Sequence, residues 1–119
     1  MSEYTIYHNP RCSSSRSTLQ LLRDHGIDPQ IVEYLNEPPT HTELRQIVLA
    51  LGIPARELIR RREKLFADVG DTEIRYSDSA AINLMAEYPK LIERPIVVRN
   101  KTAVIGRPPE NVLRLVEDE

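Results

Sequence analysis

Residues 4–35 pass from strand to helix and back to strand, and a unit that short closes by default as a parallel pair with a right-handed crossover. Tyr4 to His8 alternates and carries β-favouring side chains. Asn9-Pro10 ends that strand, because proline disfavours helical geometry in the residue before it. Ser13 to Ser15 are expected to cap a helix that presents Leu19, Leu22 and Arg23 and stops at Gly26. A second strand is expected from Gln30 to Leu35, closed by Asn36-Glu37-Pro38-Pro39.

The middle of the chain is helical. Thr40 and Glu43 have capping-box spacing, and Leu44, Ile47, Val48 and Leu51 fall on one helical face before Gly52. Pro54 is expected to open another helix carrying Ala55, Leu58 and Ile59. Phe66 to Ser77 reads mostly as loop. Ser77-Asp78 caps a helix with Ala81, Leu84, Met85 and Tyr88 on one face, ended by Pro89. Then the pattern changes: Pro95 to Arg99 and Thr102 to Ile105 flank Asn100-Lys101 as a tight hairpin. Pro108-Pro109-Glu110 starts a last helix with Val112, Leu113, Leu115 and Val116 inward, and Glu117 to Glu119 oppose its dipole, so that end should fray. The expected architecture is α/β: a mixed four-stranded sheet with flanking helices in thioredoxin-like order. It is read as one domain over 1–119 with a helical insertion at about 40–90.

That order puts Cys12 at the first strand-to-helix turn, and Cys12 is the only cysteine. Any disulfide the chain forms must therefore be with another molecule. A helix N-terminus offers unpaired N–H groups to a thiolate, and Arg11 and Arg16 add positive charge. The alternative for a lone cysteine is burial in the core, but capping positions are rarely buried. His8, at the end of the first strand, points toward the same turn. Two absences tell against common thiol enzymes. Cys12-x-x-Ser15 lacks the second thiol of a dithiol cycle, and a cysteine phosphatase loop would need arginine where Thr18 stands. A single cysteine favours a reducing compartment, and the start of the chain has no signal-peptide pattern, so the protein reads as cytoplasmic. Net charge of −2 gives nucleic acid no basic footprint, and no stretch approaches the ~20 apolar residues of a membrane span. One cysteine and three scattered histidines give no metal-ligand spacing.

The motifs His8-Asn9-Pro10-x-Cys12-x-x-Ser15-Arg16, Tyr34-Leu35 with Pro38-Pro39, Leu58-Ile59-Arg60, Arg94-Pro95-Ile96-Val97-Val98 and Gly106-Arg107-Pro108 occur in order across almost the whole chain. Together they resemble the glutaredoxin-coupled arsenate reductases. The resemblance implies that Cys12 is the nucleophile, that Arg60, Arg94 and Arg107 hold the oxyanion, and that His8 lowers the cysteine pKa. It also implies a cis Arg94–Pro95 peptide, arsenate as substrate, glutathione as co-substrate, glutaredoxin as partner and no bound cofactor. Arg60 lies in the run Arg60-Arg61-Arg62, which leaves Arg61 as the competing assignment. Two other functions share the fold: an Spx-type thiol-sensing transcription regulator, and a glutathione-dependent thiol transferase whose arginines would hold glutathione's carboxylates. Many such regulators carry a Cys-x-x-Cys switch, which this chain lacks.

Overall fold

The computed structural model describes residues 3–69 and 77–117. They divide into two compact units, Met1–Glu37 with Arg94–Glu119, and Pro38–Glu93. The first unit holds the sheet. Strands β1 (Tyr4–His8), β2 (Gln30–Glu33), β3 (Ile96–Arg99) and β4 (Thr102–Ile105) lie in the order β2-β1-β3-β4. β1 and β2 are parallel, joined through helix α1 (Ser13–Asp24); β3 runs antiparallel to both β1 and β4. The α/β architecture and mixed four-stranded sheet expected from the sequence are therefore present. Asn100 takes a positive φ of 55° at the hairpin, a conformation asparagine tolerates better than most residues.

Alternation along β1 decides where the site will form. Tyr4, Ile6 and His8 are buried on one face, with Thr5 and Tyr7 half-buried on the other. Tyr4 and Ile6 pack with Leu19 and Leu22 of α1, Val97 of β3, and Val112 and Leu115 near the C-terminus. Each fully buried side chain of this size contributes about 1.5–3 kcal/mol of apolar transfer free energy. The same alternation carries His8 beneath the first turn of α1.

Several boundaries differ from the sequence expectation. The second strand stops at Glu33 rather than Leu35, because the N–H groups of both Asn36 and Glu37 turn back onto the Glu33 carbonyl at 2.9 Å. Tyr34 is buried just past the strand, while Leu35 is exposed. Ser13 to Ser15 do not cap α1: Cys12 occupies the N-cap, and Ser15 faces inward with no exposure. The Pro108-Pro109 segment begins as a 3-10 turn, Pro109–Val112, and only then becomes helix α5 (Leu113–Glu117). The Arg94–Pro95 and Arg107–Pro108 peptides are both cis.

In the second unit, α2 (His41–Leu51) has its capping box, with Thr40 Oγ1 accepting from the Glu43 N–H at 3.1 Å and Glu43 Oε1 accepting from the Thr40 N–H at 3.0 Å. Gly52 closes it at a φ of 69°. The helix expected after Pro54 is one 3-10 turn, Ala55–Leu58. It goes no further because the chain then bridges Ile59 to Ile92, with Arg60 N–H on the Leu91 carbonyl and Glu93 N–H on the Leu58 carbonyl. Helix α3 (Lys64–Val69) occupies the start of the stretch read as loop; residues 70–76 lie outside the described residues. Helix α4 (Asp78–Glu87) follows, capped by Ser77, whose hydroxyl accepts from the Ala80 N–H at 3.2 Å.

Gly106 ends β4 against α1. Its N–H bonds the Pro95 carbonyl at 2.9 Å, and a Cβ added there would meet Thr18 Oγ1 at 2.5 Å and Pro95 Cγ at 2.9 Å. Gly106→Ala should therefore destabilise the fold by about 1–3 kcal/mol, the usual cost of overpacking, and lower Tm by several degrees. A Tm equal to that of the parent protein would show that α1 and Pro95 yield at no cost.

Candidate active site

Cys12 caps α1 in extended geometry, with φ −94° and ψ 124°. The turn leading to it is closed by its own backbone: the Cys12 N–H bonds the Asn9 carbonyl at 3.0 Å, and the Arg11 N–H bonds Asn9 Oδ1 at 3.0 Å. Asn9-Pro10 thus ends β1 and presents the sulfur at the helix N-terminus. The thiol is half-buried and free.

Two arginines flanking the β3–β4 hairpin converge on it. Arg107, just past β4, donates from Nη2 to Cys12 Sγ at 3.4 Å and from Nε to the Arg94 carbonyl at 2.7 Å. Arg94, just before β3, has a buried Nε with no hydrogen-bond partner among the described residues. A guanidinium nitrogen in that state is a ready donor for an oxyanion.

Burial pushes the Cys12 thiol up, yet its pKa ends below the ordinary range. The Ser15 backbone N–H, the Arg94 guanidinium and the charges of Arg107 and Arg94 together outweigh desolvation. Hydrogen bonds to the sulfur from the Ser15 N–H and the Arg94 guanidinium lead this stabilisation, and the charges of Arg107 and Arg94 add to it. Arg11 and Arg16, the cations nearest in sequence, are both exposed, and Arg16 spends Nη1 on the Pro10 carbonyl at 2.9 Å.

His8 reaches this group through Ser15. Its Nδ1 lies 2.6 Å from Ser15 Oγ, which also accepts the Asn9 N–H at 3.0 Å. Burial holds the imidazole below its ordinary pKa; the nearby Glu33 charge opposes the shift, while Arg23 and Arg16 add to it. That shift favours the neutral imidazole, which supports the turn through its hydrogen bond to Ser15. Ser15 is the participant that sequence reasoning missed. A serine three places into a helix looks like a capping residue, and only the buried histidine below it reveals otherwise.

Arg60 lies in the second unit, where its Nε is 3.8 Å from Glu93 Oε1, with both side chains largely buried. Arg61 and Arg62 are exposed. Among the described residues no group of three or more His, Cys, Asp or Glu could hold a metal ion, and no helix is long and apolar enough to cross a membrane.

The thiol's electrostatics are open to a direct test. Alkylation of Cys12 by iodoacetamide should have its pH midpoint below the ~8.5 of an unperturbed cysteine, and Arg107→Ala should move it up. The same shift links to stability. The folded thiol ionises at lower pH than the unfolded one, so its contribution is complete above the unfolded midpoint and is lost as pH falls through the folded one. An Arg107→Ala profile superimposed on the parent's would remove Arg107 from this account.

Residues 7–115 match the model of the ArsC family. The chain is 49% identical to the Escherichia coli (strain K12) protein named YfgD, over 93% of this chain and 94% of that one. It is 41% identical to an arsenate reductase of the same organism, over 99% of this chain and 84% of the relative. Among solved structures, an arsenate reductase from Vibrio cholerae superposes with a TM-score of 0.86 at 48% identity, covering 93% of this chain and 95% of that one.

Proposed function

The chain belongs to the ArsC family, and we propose that it reduces arsenate to arsenite through Cys12, with glutathione as co-substrate and glutaredoxin as the partner that completes turnover. The observation that carries this reading is the pair of guanidiniums, Arg94 and Arg107, gathered at the chain's only thiol. An anionic nucleophile and an anionic substrate repel one another, and fixed positive charge at their meeting point is the general remedy.

Cys12 is the nucleophile. Its thiolate attacks arsenic, and an arsenate oxygen leaves as water after taking up protons. Arg94 and Arg107 hold the remaining oxygens; each charge-assisted hydrogen bond is worth about 1.5–3 kcal/mol. Arg60 is assigned as the third oxyanion ligand on the resemblance of Leu58-Ile59-Arg60 to the family's motif. His8 holds Ser15, and so the first turn of α1, in place.

The chain has no second cysteine, so the next thiol comes from outside. Glutathione displaces a second oxygen from arsenic as water. Glutaredoxin's thiolate then attacks the glutathione sulfur; that sulfur leaves with glutaredoxin as a disulfide, and its bonding pair stays on arsenic. Arsenic falls from the +5 to the +3 state while the two sulfurs are oxidised. Hydrolysis of the Cys12–arsenic bond releases arsenite and restores the thiol.

NADPH oxidation coupled through glutathione reductase tests the electron route. Turnover should stop when glutathione is omitted, even with thioredoxin and its reductase supplied. Continued turnover on thioredoxin alone would overturn the scheme. For the third arginine, Arg60→Lys keeps the charge but loses the planar fork, and should raise the KM for arsenate about tenfold while Arg61→Lys leaves it unchanged. The reverse pattern would transfer the role to Arg61.

A further inference from the structure

A cavity of about 320 Å³ opens beside the Cys12 turn, walled by His8, Asn9, Arg11, Glu33, Leu35 and Asn36. It lies at the carboxyl ends of the parallel strands β1 and β2, where His8 and Glu33 are register partners. In open α/β sheets that end is where ligands are received. Its volume falls in the ~300–1,000 Å³ range of small-ligand sites. None of its walls belongs to the arginine pair that faces the sulfur.

The lining has a definite chemistry. His8 and Asn9 are buried and form the floor; Arg11, Glu33 and Asn36 are exposed at the rim, and Leu35 supplies an apolar surface that is 45% exposed. Asn9 commits its side-chain oxygen to the Arg11 N–H, so what it can offer a ligand is its amide NH₂. The cavity thus presents one cation, one anion, two carboxamides and an apolar patch. A ligand that satisfies them carries a carboxylate and an ammonium group separated by amide-bearing chain.

We infer that this cavity is the docking site for a small zwitterionic thiol peptide of the glutathione type, with a carboxylate on Arg11 and the α-ammonium on Glu33. The assignment rests on the reductase reading for its need of an outside thiol. The cavity and the sulfur are joined by the three-residue span Asn9-Pro10-Arg11, so a peptide seated there needs only to reach across that turn to bring its thiol to an adduct on Cys12. The oxyanion then keeps Arg94 and Arg107 to itself while the second substrate approaches from the β2 side.

Two measurements test the site, and they separate its failure from that of the reductase reading. In the coupled assay, Arg11→Ala with Glu33→Gln should raise the KM for glutathione about tenfold or more, the scale of one charge-assisted contact, and leave the KM for arsenate unchanged. S-methylglutathione, which cannot react, should shift the backbone amide resonances of Asn9, Arg11, Glu33 and Asn36 in the parent protein but not in the double variant. An unchanged glutathione KM, or shifts confined to residues around Pro95, would overturn the site while leaving arsenate reduction intact. A parent protein without arsenate-dependent turnover would overturn the reductase reading alone; the amide shifts would then decide the cavity by themselves.

Discussion

Cys12→Ser is expected to abolish arsenate-dependent turnover, down to the assay background and by about 10⁴-fold or more, as loss of a covalent nucleophile generally does. Serine has the same shape, but its hydroxyl ionises far less readily than a thiol whose pKa Ser15, Arg94 and Arg107 pull down. The variant should not unfold. Cys12 sits at the N-cap of α1, and serine is among the preferred residues there, so Tm should be equal to or above the parent's. Lost turnover with retained Tm isolates the chemistry from the fold. Turnover within tenfold of the parent would show that some other group attacks arsenic.

Removing one of the two guanidiniums should have the next largest effect. Arg107→Ala takes away the donor 3.4 Å from the sulfur and the bond that ties this arginine to the Arg94 carbonyl. The expected loss in kcat/KM is about 10²–10³-fold, comparable to deleting one donor of an oxyanion hole. Arg107→Lys should recover only part of it, since an ammonium restores the charge but cannot span both partners with the same geometry. Because Arg107 and Arg94 are joined, the double variant should lose less than the sum of the singles. Additive losses would mean that the two act independently.

The site's position was legible in the sequence because local rules decide it. Asn9-Pro10 must end a strand, and the following helix brings its N-terminus to Cys12. Local rules likewise set the Thr40–Glu43 capping box, the Gly52 stop and the Asn100 hairpin. The parts that were not legible depend on contacts distant in sequence. Helix α3 is too short for hydrophobic periodicity to announce it. The turn after Pro54 stops because Ile59 finds Ile92, thirty-odd positions away. Arg107 gripping the Arg94 carbonyl is likewise invisible, because nothing in either local sequence requires it. Ser15 was misread for a related reason: its composition says cap, and its burial over His8 says otherwise.

These points meet in one claim, that a thiolate between two arginines passes electrons from outside thiols to arsenate. The most direct measurement is the amount of arsenite formed, by chromatographic speciation of arsenic, when the parent protein is incubated with arsenate, glutathione and glutaredoxin. The account predicts arsenite well in excess of the enzyme, and none when glutathione is left out. Arsenate recovered unchanged from a folded protein with an alkylatable Cys12 would contradict it.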